Sequence, residues 1–167
     1  RDYVRYVGDP VAAVFAEKDY NVVGVLLPGH GTFPVDLHSV TYTDWQEEVS
    51  YAIQVAKELG EQVSLAGFST GGGLALDAAS RSFPDKNTLG DVYLFSPAIR
   101  IPADGDAESA KSLEWCNDLP GIELRIPLAT RFVRWTESTL ARENNDHRYA
   151  NKSSNGACQV FRLTQEL

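Results

Sequence analysis

The sequence predicts an α/β fold built on a parallel sheet, and three observations predict it. Short, nearly continuous apolar runs at residues 21–27, 62–66 and 91–96 read as strands. A strand covered on both faces requires runs of this kind. Longer segments with apolar residues at helical spacing stand between them, and the alternation of the two is the pattern of parallel strands joined by crossover helices.

Each element has its own signals. Residues 11–18 predict a helix, with Pro10 at or near its first turn and Asp9 as its cap. Residues 21–27 follow as a strand buried on both faces, ended by Pro28-Gly29. The clearest helix spans residues 44–59, where Trp45, Val49, Ala52, Ile53, Ala56 and Leu59 recur on one face. Asp44 is its expected cap, with Glu47 three residues on and Gly60 as the stop. After the strand at 62–66, the small, Ala- and Leu-rich residues 72–80 predict a second helix, and the third strand is closed by Pro97. From Ile99 the texture changes. Residues 99–157 are polar, carry Trp115 and Trp135, and read as an insertion of short helices and loops. Residues 157–167 turn helical again, with Val160, Phe161 and Leu163 as the apolar positions.

Composition bounds the function classes. The chain has 167 residues, 43% of them hydrophobic, with 15 Lys and Arg against 23 Asp and Glu and a net charge of −8. That is one ordinary domain with an acidic surface, which argues against nucleic-acid or anionic-membrane binding. No apolar run approaches the roughly 18 residues that span a bilayer. Arg1-Asp2-Tyr3 is not the start of a signal peptide, so any export signal would lie upstream of Arg1, and a cytoplasmic location is the expectation. Cys116 and Cys158 are expected to be buried thiols rather than a disulfide or a metal site. The chain has no Met and opens on Arg, as an interior piece of a longer protein would.

The chemistry-bearing motif is Gly67-Phe68-Ser69-Thr70-Gly71, a GxSxG pattern between an apolar strand and a small-residue helix. That context forces the serine into a strained turn and projects its Oγ at the carboxyl edge of the sheet. The following amide, that of Thr70, then lies at a helix N-terminus, where it can donate to a developing oxyanion. The expected site residues are therefore Ser69 as nucleophile and Thr70 as an oxyanion donor. No cofactor or metal is expected.

At this point the chain resembles the serine esterase and monoacylglycerol-lipase branch of the α/β-hydrolase superfamily. The resemblance rests on Leu27-Pro28-Gly29-His30-Gly31, the Asp44-Trp45 helix start, Gly67 to Gly72, and Ser96-Pro97-Ala98. Asn155, Gln159, Val160 and Leu163 extend it. It implies part of a doubly wound parallel sheet with a cap insertion. The core would span residues 1–98, the cap 99–157, and a returning helix would start at 158–167. It implies hydrolysis of a small ester or acylglycerol through an acyl-enzyme on Ser69, or else a non-catalytic relative that keeps the turn.

The resemblance is incomplete at both ends. The family's His-Gly strand before the first helix supplies the second oxyanion amide, and its acid and base follow the cap; neither region is present. Residues 1–167 alone are therefore expected to be inactive. The implied strand order also puts residues 21–27 and 62–66 about 10 Å apart, two strand spacings, with no direct pairing. His30 and His38 lie in the turn after the first strand, where an imidazole more commonly pins the loop, and His147 beside Asp146 belongs to the insertion. None of them is the expected base. Gly29-His30-Gly31 is no dinucleotide fingerprint, because Pro34 stands where its third glycine belongs. Asn151-Lys152-Ser153 matches a glycosylation sequon by pattern only.

Overall fold

The computed structural model describes residues 3–99, Cys116, residues 132–134 and residues 151–167. Helices α1 (Tyr3–Ala16) and α2 (Tyr42–Leu59) precede strand β1 (Val63–Phe68), and helix α3 (Thr70–Arg81) joins it to β2 (Leu89–Phe95). A short antiparallel pair, β3 (Phe132–Arg134) and β4 (Asn151–Ser153), leads into helix α4 (Ser154–Glu166). Strands β1 and β2 form a parallel two-stranded sheet. Its register slips once, between Val63 and Leu65, where β2 carries an extra residue. The Ser64 hydroxyl accepts the Asp91 amide there at 3.1 Å, replacing a ladder bond.

Two apolar clusters hold the helices to the sheet. In the first, Trp45 of α2, Leu74 of α3 and Leu163 of α4 meet Val40, with Leu27, Leu37 and Val160 packed around them. In the second, Ile53, Val63, Ala78 and Phe83 close the opposite end, and Val49 touches both clusters. One face of α2 thus serves both, as its helical spacing predicts. Phe15 anchors α1 by edge contacts with Tyr20 and with Tyr93 of β2, at ring separations of 5.4 and 5.2 Å.

Helix ends depart from expectation in informative ways. Helix α1 starts at Tyr3, so Pro10 lies inside it rather than in its first turn, and Asp9 is not its cap. Helix α2 is capped by Thr41, not Asp44. Asp44 is the reciprocal partner of a capping box: its carboxylate accepts the Thr41 amide at 2.7 Å, while Thr41 Oγ1 accepts the Asp44 amide at 3.3 Å. Gly60 does end the helix. Helix α3 begins two residues earlier than expected, at Thr70, and α4 three earlier, at Ser154.

The run at 21–27 is not the doubly buried strand its composition suggests. Among the described residues it pairs with no strand, β1 included. Burial alternates along it: Val23, Val25 and Leu27 turn inward, while Val22 and Leu26 are 46% and 52% exposed. Period-two burial is the mark of an extended segment packed on one side. An apolar run reports affinity for a core, but a ladder also requires a neighbouring backbone, which composition does not reveal.

Cys116 and Cys158 form a disulfide, with their Cα atoms 5.3 Å apart, which corrects the expectation of buried thiols. Their separation of 42 residues carried no pairing signal; the fold brings them together. Arg162, one turn beyond Cys158 on α4, donates to the Cys116 carbonyl from Nε (3.2 Å) and Nη2 (2.7 Å). The bridge thus ties α4 to Cys116, 42 residues earlier in the chain. Trp115, Trp135, Asp146 and His147 lie outside the described residues.

A cross-link closing a loop of this length removes up to about 4 kcal/mol of unfolded-state entropy in the chain-entropy model. Urea denaturation with and without dithiothreitol should therefore show a large fall in midpoint on reduction. Cys158→Ser should start at the reduced midpoint and be insensitive to the reductant.

Candidate active site

Strand β1 ends at Phe68 and α3 begins at Thr70, leaving Ser69 alone to reverse the chain. Its backbone sits at φ 52°, ψ −118°, a region that L-residues with a Cβ rarely occupy. Such a conformation costs on the order of 1–3 kcal/mol and persists only where neighbours over-determine it. The neighbours are backbone. The Ser69 amide donates to the Phe95 carbonyl at 3.0 Å. The Ser69 carbonyl accepts from Gly72 (3.0 Å), Gly73 (3.2 Å) and Ala98 (2.9 Å).

Glycine is required where these segments touch. A Cβ on Gly67 would stand 2.6 Å from the Gly72 nitrogen and closer still to the Gly71 carbonyl. A Cβ on Gly72 would meet Pro97 Cβ at 2.7 Å. Three glycines in the first turn of α3 are poor helix formers, at roughly 1 kcal/mol each relative to Ala. Gly72 and Gly73 are explained by close approach, to Pro97 and to the Ala98 carbonyl, rather than by helix propensity. Gly71, by contrast, would meet no atom within 4 Å among the described residues.

Thr70 occupies the first position of α3, so its amide is one of those with no carbonyl to bond inside the helix. The partial positive charge of the helix terminus adds to that donor. Ser69 and Thr70 thus stand together at the carboxyl ends of β1 and β2.

His30 lies in the turn after residues 21–27. Its Nδ1 lies 3.2 Å from the Pro28 carbonyl, which also accepts the Trp45 indole Nε1–H at 3.0 Å. Because the carbonyl only accepts, the proton resides on Nδ1. The ring also makes an edge contact with Trp45 at 5.8 Å. Burial pushes the His30 pKa below its ordinary 6.5, against the opposing pull of the Pro28 and Leu27 carbonyls. This imidazole pins the turn to α2. His38 ends the 3-10 turn Pro34–His38 and is half-buried.

The sequence reading missed the strap at 95–98. Ser96-Pro97-Ala98 drew notice as the end of the third strand and as part of the family resemblance, yet it crosses directly over Ser69. Its Ser96 is a second non-glycine residue at positive φ, 43°. The Pro closing the strand was the one signal available.

No known protein-family profile matches the chain. Over 94 residues, 56% of its length, the chain is 31% identical to the thermostable monoacylglycerol lipase of Bacillus sp. (strain H-257), of which it covers 36%. Among solved structures it superposes, with a TM-score of 0.67 and 19% identity, on a chain from LipS and LipT, two metagenome-derived lipolytic enzymes. The fold shared with it is α/β-hydrolase-like. That superposition covers 93% of this chain and 57% of the other, and at such identity it speaks to the fold. The chain therefore spans about a third of the lipase it matches and little over half of the lipolytic enzyme. Among its described residues no cluster of His, Cys, Asp and Glu could hold a metal ion, and no helix is long and apolar enough to cross a membrane.

Two outcomes follow from the site geometry. Glycine adopts positive φ freely, so Ser69→Gly should be about 1 kcal/mol more stable than Ser69→Ala in urea denaturation. For His30, the unfolded chain binds the proton more readily than the folded one. Its contribution to stability is thus held above pH 6.5 and declines as pH falls below that value. The urea midpoint should drop between about pH 7.5 and about pH 5.5, and His30→Gln should shrink the drop.

Proposed function

We propose that the full protein hydrolyses carboxylic esters through an acyl-enzyme formed on Ser69. The observation that carries this reading is the strained Ser69, alone between the end of β1 and the start of α3. Strain of this kind is expensive and has no role in packing, since glycine would fill the position at less cost. What glycine lacks is the hydroxyl.

In this mechanism Ser69 Oγ attacks the ester carbonyl, passing its proton to a histidine base, and the C–O bond to the leaving alcohol breaks once the alcohol has been reprotonated. The carbonyl oxygen carries negative charge in the tetrahedral intermediate, and the Thr70 amide donates to it. Water then attacks the acyl-Ser69 ester, and the acid leaves. His30 is not assigned the base, because its Nδ1 bonds the Pro28 carbonyl and its ring packs on Trp45, which holds it in the turn after residues 21–27. The insertion at 99–157 serves as a cap over the site, and a monoacylglycerol or similar small ester is the proposed substrate. The 31% identity to a monoacylglycerol lipase supports that choice.

The test uses the full-length protein with a fluorophosphonate, which labels an activated serine. Wild type should be labelled at Ser69 and turn over a monoacylglycerol, and Ser69→Ala should lose both by at least about a thousandfold. A folded full-length protein that neither labels nor hydrolyses esters would identify a non-catalytic relative and overturn the proposal.

A further inference from the structure

The strap over Ser69 bears on chemistry as well as on packing. Ala98 N–H donates to the Ser69 carbonyl at 2.9 Å, and Ser69 N–H donates to the Phe95 carbonyl at 3.0 Å. One short segment therefore grips both peptide planes that flank Ser69. The second plane holds the Ser69 carbonyl and the Thr70 amide together, because a peptide unit is rigid and flat. No cis peptide bond occurs among the described residues, so in this plane the carbonyl and the N–H point in opposite directions. Whatever fixes the Ser69 carbonyl fixes the aim of the Thr70 N–H.

We propose that Ala98 is a positioning residue for the oxyanion site: its amide, bonded to the Ser69 carbonyl, orients and polarises the Thr70 N–H across one rigid peptide plane. The assignment rests on the hydrolase reading of Ser69. Polarisation follows because an amide whose oxygen accepts a hydrogen bond becomes a better donor at its nitrogen. The Gly72 and Gly73 amides bond the same oxygen, but they belong to α3 and move with it. Among the described residues Ala98 alone reaches it from outside the helix, and so locks the helix start to the end of β2.

Two further features are what this role requires. The strap is seated with almost no clearance: a Cβ on Gly73 would lie 2.6 Å from the Ala98 carbonyl oxygen, and one on Gly72 would lie 2.9 Å from Pro97 Cα. The turn into it is strained, with Ser96 at φ 43°. Of the three described non-glycine residues at positive φ, Ser69 and Ser96 are coupled through these bonds. A connector serving only to leave the sheet would need neither strain nor a glycine floor.

The experiment replaces Ala98 by lactic acid in the full-length protein, turning its amide N–H into an ester oxygen while keeping the methyl group. Gly73→Ala, which displaces the strap, is the second variant. Ile53→Val, in the far cluster, controls for lost stability. Ester kinetics are read beside the affinity for a trifluoromethyl ketone, which binds as an oxyanion adduct. In both strap variants kcat and trifluoromethyl ketone affinity should fall together by about tenfold or more, with KM within about twofold. Ile53→Val should leave all three unchanged. If wild type labels at Ser69 but the strap variants keep kcat and ketone affinity, or lose them only in proportion to the unfolded fraction, the role of Ala98 is overturned. If wild type does not label, the hydrolase reading fails first and the assignment with it.

Discussion

The reversal of the chain at Ser69 depends on backbone meeting backbone with no side chain between. The end of β1, the first turn of α3 and the segment after β2 converge there, and Gly67, Gly72 and Gly73 admit them. Four main-chain hydrogen bonds then hold a serine at φ 52°. At the usual 0.5–1.5 kcal/mol net for each bond, they are of the same order as the strain they oppose. The pairing of β1 with β2 and the placement of α3 on the sheet both follow from this junction. A Cβ at Gly67 would break it by steric collision alone.

A second arrangement holds the turn after residues 21–27, and it is built from polar groups inside the core. Asn155 of α4 donates from Nδ2 to the carbonyls of Leu37 (2.7 Å) and Val40 (2.8 Å). Gln159 donates to Asn155 Oδ1 at 2.9 Å and accepts the first amide of α2, that of Tyr42, at 3.0 Å. Both side chains are buried, and these bonds satisfy them, which is the condition under which a buried polar network is tolerated. Trp45 and His30 close the other side on the Pro28 carbonyl. The loop at 28–40, though irregular, is therefore fastened to α2 and to α4, and through Cys158 to Cys116.

The candidate site was legible because its requirements are local. A serine that must project from a strand-to-helix turn needs small neighbours within a few positions, and Gly67, Gly71 and Gly72 announce it. The same holds for α2, whose apolar face and stop are written at fixed offsets. Thr41 escaped notice as its cap because Asp44 fits that role equally well by residue type, and only the backbone geometry separates the two positions of a capping box. His30 was read as a loop pin, and its bond to Pro28 has that form.

What the amino-acid order determined by itself is therefore the set of short-range constraints: the turn at Ser69, the helical faces, the α/β class. Tertiary structure decided everything that depends on distance across the chain. The Cys116–Cys158 bridge joins residues 42 positions apart, and the Ala98 bond reaches back 29 positions (98 − 69) to Ser69. Residues 21–27 have the composition of a buried strand, but strand pairing is a property of two backbones, and burial of a face is a property of what packs on it. Propensity and periodicity describe one segment at a time, whereas contacts of this kind exist only once the segments have met.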